Sequence, residues 1–154
     1  MNKTMQMALR ILTRREYSEQ ELRQRLAKSQ ALDEVDAVIA LCKTQGLLSN
    51  ERFVESRVRH RIAQAYGPRY IAQDLSAHGI STDEIAPYLM DDDDFWIEQA
   101  RRLLKKKYRV FTADEIIKAQ RYLFQRGFSG SQIQAAIKQV LIIQESREYD
   151  EENG

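Results

Sequence analysis

Apolar side chains recur three and four residues apart along most of this chain, and no stretch alternates apolar and polar residues for long enough to predict a strand. Residues at this spacing share one face of an α-helix, so the pattern predicts amphipathic helices. Two clear examples are Val35, Val38, Ile39 and Cys42, and Ile133, Ala136, Ile137, Val140 and Leu141. The predicted helices cover residues 5–16, 18–28, 32–45, 50–66, 68–78, 82–90, 94–108, 112–126 and 129–143.

A serine-based junction marks the start of three of these helices. In each copy an apolar residue precedes Ser, and a Glu or Gln three residues later is followed by a second apolar residue. The Ser hydroxyl accepts from the backbone N–H three residues on, and the Glu or Gln side chain accepts from the Ser N–H, which defines a capping box. The copies are Tyr17-Ser18-x-x-Glu21-Leu22, Ile80-Ser81-x-x-Glu84-Ile85 and Phe128-Ser129-x-x-Gln132-Ile133, with an incomplete one, lacking an acceptor, at Leu48-Ser49-x-x-Arg52-Phe53.

The residues before the junctions also repeat. Arg10-x-Leu12-x-x-Arg15-Glu16-Tyr17-Ser18 matches Arg121-x-Leu123-x-x-Arg126-Gly127-Phe128-Ser129 position by position. Gly46 and Gly79 also precede junctions, where a glycine suits the end of a helix. The junction serines are 31, 32 and 48 residues apart, which is typical of helical repeats. We therefore predict an all-α array of small helical bundles rather than one thick core.

The composition supports this fold class and narrows the chemistry. The 154 residues include six Gly and two Pro, fewer than the turns of a β-protein require. The single Cys42 excludes an intramolecular disulfide, and we expect it to be a buried structural thiol. Because His60 and His78 have no partners at ligand spacing, we predict no metal site, no cofactor and no catalytic residues. No apolar run is long enough to span a membrane, and Met1–Arg10 lacks the core of a signal peptide, so we expect a cytoplasmic protein.

The net charge of +1 conceals separate acidic and basic segments. Glu145–Gly154 holds five acidic residues and one arginine, and we predict a disordered, solvated tail there. Four aspartates, Asp91–Asp94, precede the seventh helix. We expect Asp94 to cap a helix that begins at Phe95 and the others to favour its N-terminal dipole. The remaining body is basic, and arginine outnumbers lysine by 16 to 8.

Three basic clusters lie on the first helix pair, beside Tyr66 and Tyr70 in the middle of the chain, and at the end of the seventh helix. Such clusters fit a solvated helix face, but they also fit a recognition surface for nucleic acid or for an acidic protein groove, and charge alone does not separate these targets. Arginine is the better residue for forked contacts to carboxylates and phosphates. The candidate contact residues, chosen for charge clustering, are Arg23, Arg25, Arg57, Arg61, Arg69, Lys105 and Lys106.

Four motifs, in order, resemble the signatures of the bacterial RecX family. They span about residues 7–140, and the ordered set is far more specific than any one motif. Leu47 stands where the family often has an aromatic residue, and Asp91–Asp94 and the acidic tail are not motif positions. The motifs are Ala8-Leu9-Arg10-Ile11-Leu12 with Arg15-Glu16-Tyr17-Ser18 and Glu21-Leu22; Gly46-Leu47-Leu48-Ser49-Asn50-Glu51-Arg52-Phe53; Tyr66-Gly67-Pro68-Arg69-Tyr70-Ile71 with Leu75 and Gly79-Ile80-Ser81; and Gln120-Arg121-Tyr122-Leu123 with Arg126-Gly127-Phe128-Ser129.

The resemblance implies three tandem three-helix repeats in an elongated, curved, right-handed-type array. We expect one domain over residues 1–144, with approximate repeats at 1–48, 49–92 and 93–144, followed by the tail at 145–154.

The resemblance also implies a function. RecX-like proteins bind the filament that the RecA recombinase forms on single-stranded DNA, lodge in its groove, and restrain filament growth, ATP hydrolysis, strand exchange and coprotease activity. We therefore expect a monomeric, non-enzymatic regulator of RecA in DNA recombination, DNA repair and the SOS response, without a membrane partner. The rival interpretation is a helical module that binds single- or double-stranded DNA directly and acts independently of RecA.

Overall fold

The computed structural model describes residues 2–89 and 92–153, and within these ranges the chain is helical with short connections and no strand. This confirms the predicted all-α class. The predictions that fall on Met1, Met90, Asp91 and Gly154 lie outside the described residues. The helices are α1 (Lys3–Leu12), α2 (Glu19–Ala27), α3 (Leu32–Thr44), α4 (Asn50–Ala63), α5 (Pro68–Ala77), α6 (Thr82–Leu89), α7 (Asp93–Lys107), α8 (Ala113–Arg126) and α9 (Gly130–Asn153).

The chain divides into two compact units. The first unit comprises Met1–His60 and Gln73–Tyr88, and the second comprises Arg61–Ala72 and Leu89–Gly154. Helices α1–α3 and α6 therefore belong to the first unit and α7–α9 to the second, apart from Leu89 at the end of α6, while α4 and α5 each contribute to both.

The core of the first unit is built from the periodic apolar positions of α1–α3. Leu22 and Leu26 of α2 are fully buried, and they pack with the four apolar residues of α3 that the sequence identified. Cys42 is among these residues, and its Sγ lies 3.9 Å from the Sδ of Met5. Burial raises the pKa of the Cys42 thiol, which keeps the sulfur protonated and unreactive at neutral pH. The prediction of a buried structural thiol is confirmed.

All three predicted capping boxes are present. Glu21 accepts from the Ser18 N–H at 3.0 Å while the Ser18 hydroxyl accepts from the Glu21 N–H at 3.1 Å, and the boxes at Ser81 and Ser129 have the same reciprocal pattern. At the incomplete copy the Ser49 hydroxyl accepts from the Arg52 N–H at 3.1 Å. Because the Arg52 side chain has no acceptor to return, it instead donates to Glu16 at 3.0 Å.

The first capping box also anchors an ion pair. Arg15 donates to the Glu21 carboxylate at 2.9 Å, and the Glu21 side chain is 16% exposed. Burial opposes the charge on Glu21, but the hydrogen bonds from Arg15 and from the Ser18 N–H outweigh it and lower the pKa of Glu21. The ionised carboxylate therefore stabilises the native first unit.

The core of the second unit lies between α7 and α9, with α8 packed on α9. Trp96 and Leu104 of α7 face Ile133 and Ile137 of α9, and all four side chains are buried. The Gln132 side chain, itself buried, accepts from Ser129 within its capping box and donates to the Asp93 carboxylate at 3.0 Å. This bond ties the start of α9 to the start of α7.

The start of α5 meets the end of α8 in a backbone junction. The Gly67 N–H donates to the Arg126 carbonyl at 2.7 Å, and the Arg69 N–H donates to the Gly127 carbonyl at 2.9 Å. These bonds satisfy N–H groups at the start of one helix with carbonyls at the end of another. Both glycines are required by the approach, because a Cβ on Gly67 would lie 2.6 Å from the backbone of Gly127 and Phe128. Gly127 also has a φ of 102°, which ends α8 in the left-handed region.

Several boundaries differ from the sequence prediction. Helix α1 ends at Leu12 rather than at residue 16, and α4 ends at Ala63 rather than at residue 66. Pro87 lies within α6, which continues to Leu89, although proline has no N–H to donate to the carbonyl four residues earlier. The cap of α7 is Asp92, which accepts from the Phe95 N–H at 3.2 Å, so the expectation of a cap at Asp94 is wrong.

The C-terminal segment also differs from expectation. Helix α9 runs through Asn153, so residues 145–153 are helical where the sequence predicted a disordered tail. Between Ser131 and Asn153 the chain contains no Gly or Pro, and Gln, Glu and Arg are good helix formers, so nothing in the sequence ends the helix. The residues are exposed on every side, which is why apolar periodicity gave no sign of the extension. Within the described ranges no helix is both long and apolar enough to cross a membrane.

The backbone junction gives a stability prediction for Gly127→Ala. An added Cβ would lie 2.5 Å from the Cβ and N of Tyr70 and would also force alanine to a φ of 102°. We expect a loss of about 2–4 kcal/mol in the free energy of unfolding, measured in urea. Gly130→Ala is the matched control, because nothing lies within 4 Å of its Cβ and it stands in the first turn of α9. Equal stability of the two variants would contradict the tight approach.

The Glu21 ion pair gives a prediction for pH dependence. Glutamine at this position keeps the capping box, as Gln132 does, but loses the charge that pairs with Arg15. Because the native pKa of Glu21 is lowered, we expect Glu21→Gln to reduce the free energy of unfolding by about 1 kcal/mol at pH values above the ordinary glutamate pKa of 4.5. The difference from the native chain should disappear as the pH falls through the lowered native pKa. Glu84→Gln is the comparison, because the pKa of the exposed Glu84 is also lowered, mainly by the Ser81 N–H of its capping box and not by an arginine, so this variant measures the part of the effect that belongs to the capping box. A pH-independent cost at Glu21 would show that the charge is irrelevant.

Candidate functional site

The seven candidate contact residues are divided between the two units. Three belong to the first unit and four to the second. They differ mainly in how far other residues of the chain already neutralise them. The residues of the first unit are Arg23, Arg25 and Arg57, and those of the second are Arg61, Arg69, Lys105 and Lys106.

The two arginines of α2 are partly neutralised within their own repeat. Arg23 pairs with Asp36 of α3 and lies 3.6 Å from Glu19 one turn earlier. Arg25 donates to the Tyr17 hydroxyl at 2.9 Å, and its guanidinium lies 5.8 Å from the centre of the same ring. Both side chains remain partly solvent-accessible, so each can exchange these bonds for contacts to a partner.

Arg57 has a structural role in the first unit. Its Nε and one terminal nitrogen donate to both oxygens of Asp74, at 2.7 and 3.1 Å, and the two side chains are 21% and 12% exposed. His78 extends this network, because its Nδ1 lies 2.7 Å from the Asp74 carbonyl and its Nε2 lies 3.9 Å from Glu21. A partner could bind Arg57 only by breaking this half-buried forked pair, so Arg57 is poorly available for an external contact.

The arginines of the second unit surround a stack of aromatic rings. Tyr66 and Tyr70 are parallel, with centroids 3.7 Å apart and planes 7° apart. The Arg126 guanidinium lies 3.9 Å from the Tyr66 centroid, and Arg61 lies 5.8 Å from both rings. Arg126 is held in place because it also donates to the backbone carbonyls of Gln64 and Ala65. Aromatic ring faces carry partial negative charge and attract cations, so the two guanidinium groups stabilise the stacked tyrosines.

A second cation–aromatic pair lies beside this stack and is open to solvent. The Arg69 guanidinium lies 5.0 Å from the centroid of Phe124, whose side chain is 56% exposed. The backbone junction explains the pairing, because it binds the start of α5 to the last turn of α8. We refer to the set Arg61, Tyr66, Arg69, Tyr70, Phe124 and Arg126 as the cation–aromatic cluster.

Sequence reasoning found only part of this cluster. It identified Arg61 and Arg69 and noted the two tyrosines, but it missed Phe124 and Arg126. A signal for Arg126 was available, because Arg126 is the counterpart of Arg15 in the matching motifs, and Arg15 also covers an aromatic ring, that of Tyr17 at 3.7 Å. Phe124 carries no such signal, since an exposed apolar residue on a helix is common.

The basic end of α7 contains two arginines that form ion pairs, followed by exposed lysines. Arg101 and Arg102 both bind Glu98, at 2.7 and 3.1 Å, and their hydrogen bonds lower the pKa of Glu98 to about 2. Lys105 and Lys106, in contrast, form no ion pair within the described ranges. These two lysines line a groove of about 560 Å³ with the end of α4, whose floor is apolar. They are exposed charges over an apolar surface, which suits an amphipathic anionic partner.

The remaining predicted chemistry concerns metals and catalysis. Among residues 2–89 and 92–153, no group of three or more His, Cys, Asp and Glu side chains is arranged to hold a metal ion. His78 belongs to the Arg57 network, and Asp92 and Asp93 cap or tie helices. Each of these groups therefore has a structural partner.

The family comparisons agree with this architecture. Family models described as the first, second and third three-helix domains of RecX match residues 5–40, 49–89 and 93–137. A regulatory protein RecX from Legionella pneumophila (strain Corby) is 40% identical over 144 residues, which cover 91% of this chain and 96% of that protein. The RecX of Escherichia coli (strain SE11) is 36% identical over 143 residues, with 82% and 85% of the two chains covered.

Solved structures show the same fold at low sequence identity. The crystal structure of RecX from Lactobacillus salivarius has a TM-score of 0.80 at 21% identity and covers 91% of this chain and 96% of that one. A second RecX crystal structure has a TM-score of 0.77 at 24% identity, with 88% and 70% covered. Together with the three domain matches and the relatives above, these findings show that the chain is an all-α helical repeat protein of the RecX family of regulatory proteins.

Proposed function

We propose that this chain is a negative regulator of the RecA recombinase that binds the RecA filament on single-stranded DNA. The observation that carries the proposal is the ordered match of all three RecX three-helix domains along the chain. Binding in the filament groove would restrain filament growth, ATP hydrolysis, strand exchange and coprotease activity. The protein would act as a cytoplasmic monomer in DNA recombination, repair and the SOS response, and it would need no cofactor or catalytic group.

The charge distribution of the second unit supports a binding mechanism of this kind. Among its candidate contact residues, the exposed cations are Arg69 in the cation–aromatic cluster and Lys105 and Lys106 on α7. Groups of this kind can meet carboxylates on RecA subunits or phosphates of the bound DNA, and they release counterions in doing so. Because they form no ion pairs among residues 2–89 and 92–153, binding does not have to break existing ion pairs first.

The first unit would contribute fewer and weaker contacts. Arg23 and Arg25 each have to exchange an internal hydrogen bond for an external one, so their net contribution is small. Arg57 would contribute mainly by holding α4 against α5. We therefore expect charge reversal in the second unit to weaken RecA inhibition more than charge reversal on α2 does.

A double charge reversal tests the proposal. We expect Arg69→Glu with Lys105→Glu to raise the concentration for half-inhibition of RecA ATPase on single-stranded DNA by about tenfold or more, because two attractive contacts become repulsive. The assay is a titration of RecA ATPase with the native chain and with the variant, starting well below one molecule per RecA subunit. Inhibition by the native chain far below that ratio indicates capping of growing ends, and inhibition only near saturation indicates coating of the groove.

The control reverses the same number of charges elsewhere on the second unit. Lys118→Glu with Lys138→Glu changes two exposed lysines on α8 and α9 that are not in the proposed surface. This variant should inhibit RecA like the native chain, and circular dichroism should show that both variants are folded. If the native chain leaves RecA ATPase and strand exchange unchanged at any ratio, the proposed function is wrong. If the two variants lose the same activity, the proposed surface is wrong.

The cation–aromatic cluster favours a second candidate, direct binding of single-stranded DNA without RecA. Phe124 presents an exposed ring face beside the Arg69 guanidinium. Proteins that bind single strands combine cations for phosphates with aromatic faces for unpaired bases. An exposed pair of this composition fits one nucleotide, with its base on Phe124 and its phosphate against Arg69.

Removal of one ring distinguishes stacking from simple charge attraction. We expect Phe124→Ala to weaken binding of a thymidine oligonucleotide about tenfold, since stacking on one aromatic side chain contributes about 1–3 kcal/mol. Binding to an oligonucleotide of abasic sites should be equally weak for both proteins. Ile117→Ala, an exposed apolar residue 62% accessible on the same helix, is the control. Equal affinity of the native chain for the two oligonucleotides would contradict base stacking.

A further inference from the structure

The helical extension of α9 brings carboxylates beside the basic end of α7, within the second unit. A groove of about 470 Å³ lies between α9, the end of α7 and the segment that follows α7. Its cationic side chains are Arg101, Lys105, Arg109 and Arg147, and the α9 wall carries Glu148 and Glu151 together with that last arginine. The segment that the sequence predicted to be a disordered tail therefore contributes two acids to a defined basic groove.

These opposite charges share the groove without forming ion pairs. Within the described ranges, Lys105 and Arg109 lie more than 4.0 Å from any carboxylate oxygen, and so do Glu148 and Glu151 from any cationic nitrogen. Charges that line one groove still interact across it, over a screening length of about 8 Å at physiological salt. The carboxylates consequently lower the positive potential that an incoming anion meets, while leaving the cations accessible.

We propose that this groove binds a phosphodiester chain and that Glu148 and Glu151 act as a built-in competitor that lowers its affinity. The cations attract an anionic ligand, and the two carboxylates repel it from the opposite wall. The proposal rests on the function proposed above, because Lys105 belongs both to this groove and to the proposed RecA-binding surface.

The other groups in the groove favour nucleic acid over an acidic protein segment. Tyr108 lines it, with its ring stacked on Phe111 at 5.0 Å, and the neighbouring Val110 is 54% exposed. Apolar and aromatic surface next to spaced cations matches the alternation of bases and phosphates along a single strand. An acidic peptide would use the cations but would leave this aromatic surface without a matching partner.

The helical periodicity of α9 provides a matched control within the same segment. Glu148 and Glu151 share the groove face with Gln144, whereas Glu145 lines a different groove beside Lys138. Glu152 is seven residues after Glu145 and therefore lies on the same face as Glu145. Glu145→Gln with Glu152→Gln thus changes the net charge by the same amount as Glu148→Gln with Glu151→Gln, on a different face of the same helix.

The experiment measures binding of a labelled thymidine oligonucleotide to the full chain by fluorescence anisotropy, without RecA. At about 50 mM salt we expect Glu148→Gln with Glu151→Gln to bind about five times more tightly than the native chain, and the gain to shrink at about 200 mM salt. The slope of log affinity against log salt should steepen by about one, because the unmasked cations contact one more phosphate. The Glu145, Glu152 control should change affinity less than twofold. Adding Lys105→Gln and Arg109→Gln should abolish the gain.

Each alternative outcome overturns the proposal. Equal gains in both double variants would show an effect of net charge alone, and a gain that survives the loss of Lys105 and Arg109 would place the competition outside this groove. Tighter binding of a polyglutamate peptide than of the oligonucleotide would assign the groove to acidic protein instead. Because RecA is absent, a chain that shows the DNA effect but fails to inhibit RecA removes the proposed function and leaves this inference standing.

Discussion

Two backbone hydrogen bonds, from Gly67 to Arg126 and from Arg69 to Gly127, fix the geometry on which the cation–aromatic cluster of the second unit depends. They set the first turn of α5 against the last turn of α8. Side chains on either side of these bonds then lie close to one another, so Arg126 covers the ring of Tyr66 and Arg69 covers the ring of Phe124. Backbone bonds of this kind leave little room for adjustment, and both glycines are needed because neither position tolerates a Cβ. Main-chain hydrogen bonds therefore position the cation–aromatic cluster, and the positions of its side chains follow from them.

The same sequence motif produces different local chemistry in the first and third repeats. In the first repeat Arg15 pairs with Glu21, the acidic member of its own capping box, and covers Tyr17. In the third repeat the box contains Gln132, which is neutral and donates to Asp93 instead. Arg126 thus has no carboxylate in its own box, and it donates to backbone carbonyls and covers the ring of Tyr66, which lies just before α5. Glutamate at the cap position thus accompanies a local ion pair of the arginine in the first repeat, and glutamine at the equivalent position accompanies a longer-range contact in the third.

This contrast explains how far the sequence could predict the structure. Capping boxes, glycine stops and apolar faces depend on residues within about one or two turns, and most of them were predicted from the chain alone, although the capping box of Thr112 and Glu115 was missed. The partners of Arg57 and Arg126 lie 17 and more than 60 residues away, so no local pattern specifies them. The prediction for the end of helix α9 fails for a different reason. Its last turns are exposed on all sides, so no apolar periodicity indicates that they are helical. The cap at Asp92 shows a smaller limit, since four adjacent aspartates offer the same chemistry in four registers.

The distribution of ion pairs changes the meaning of the arginine-rich composition. Arginine suits forked contacts, and in this chain many of those contacts are internal, so the densest arginine clusters are not the most available charges. The arginines with carboxylate partners include Arg15, Arg23, Arg52, Arg57, Arg101 and Arg102. Lysines at the end of α7 have no such partners within the described ranges, although lysine is the rarer cation. The electrostatic potential that a partner meets is therefore set by the cations without carboxylate partners. A count of basic residues overstates the positive potential at α2 and α4 and understates the contribution of α7.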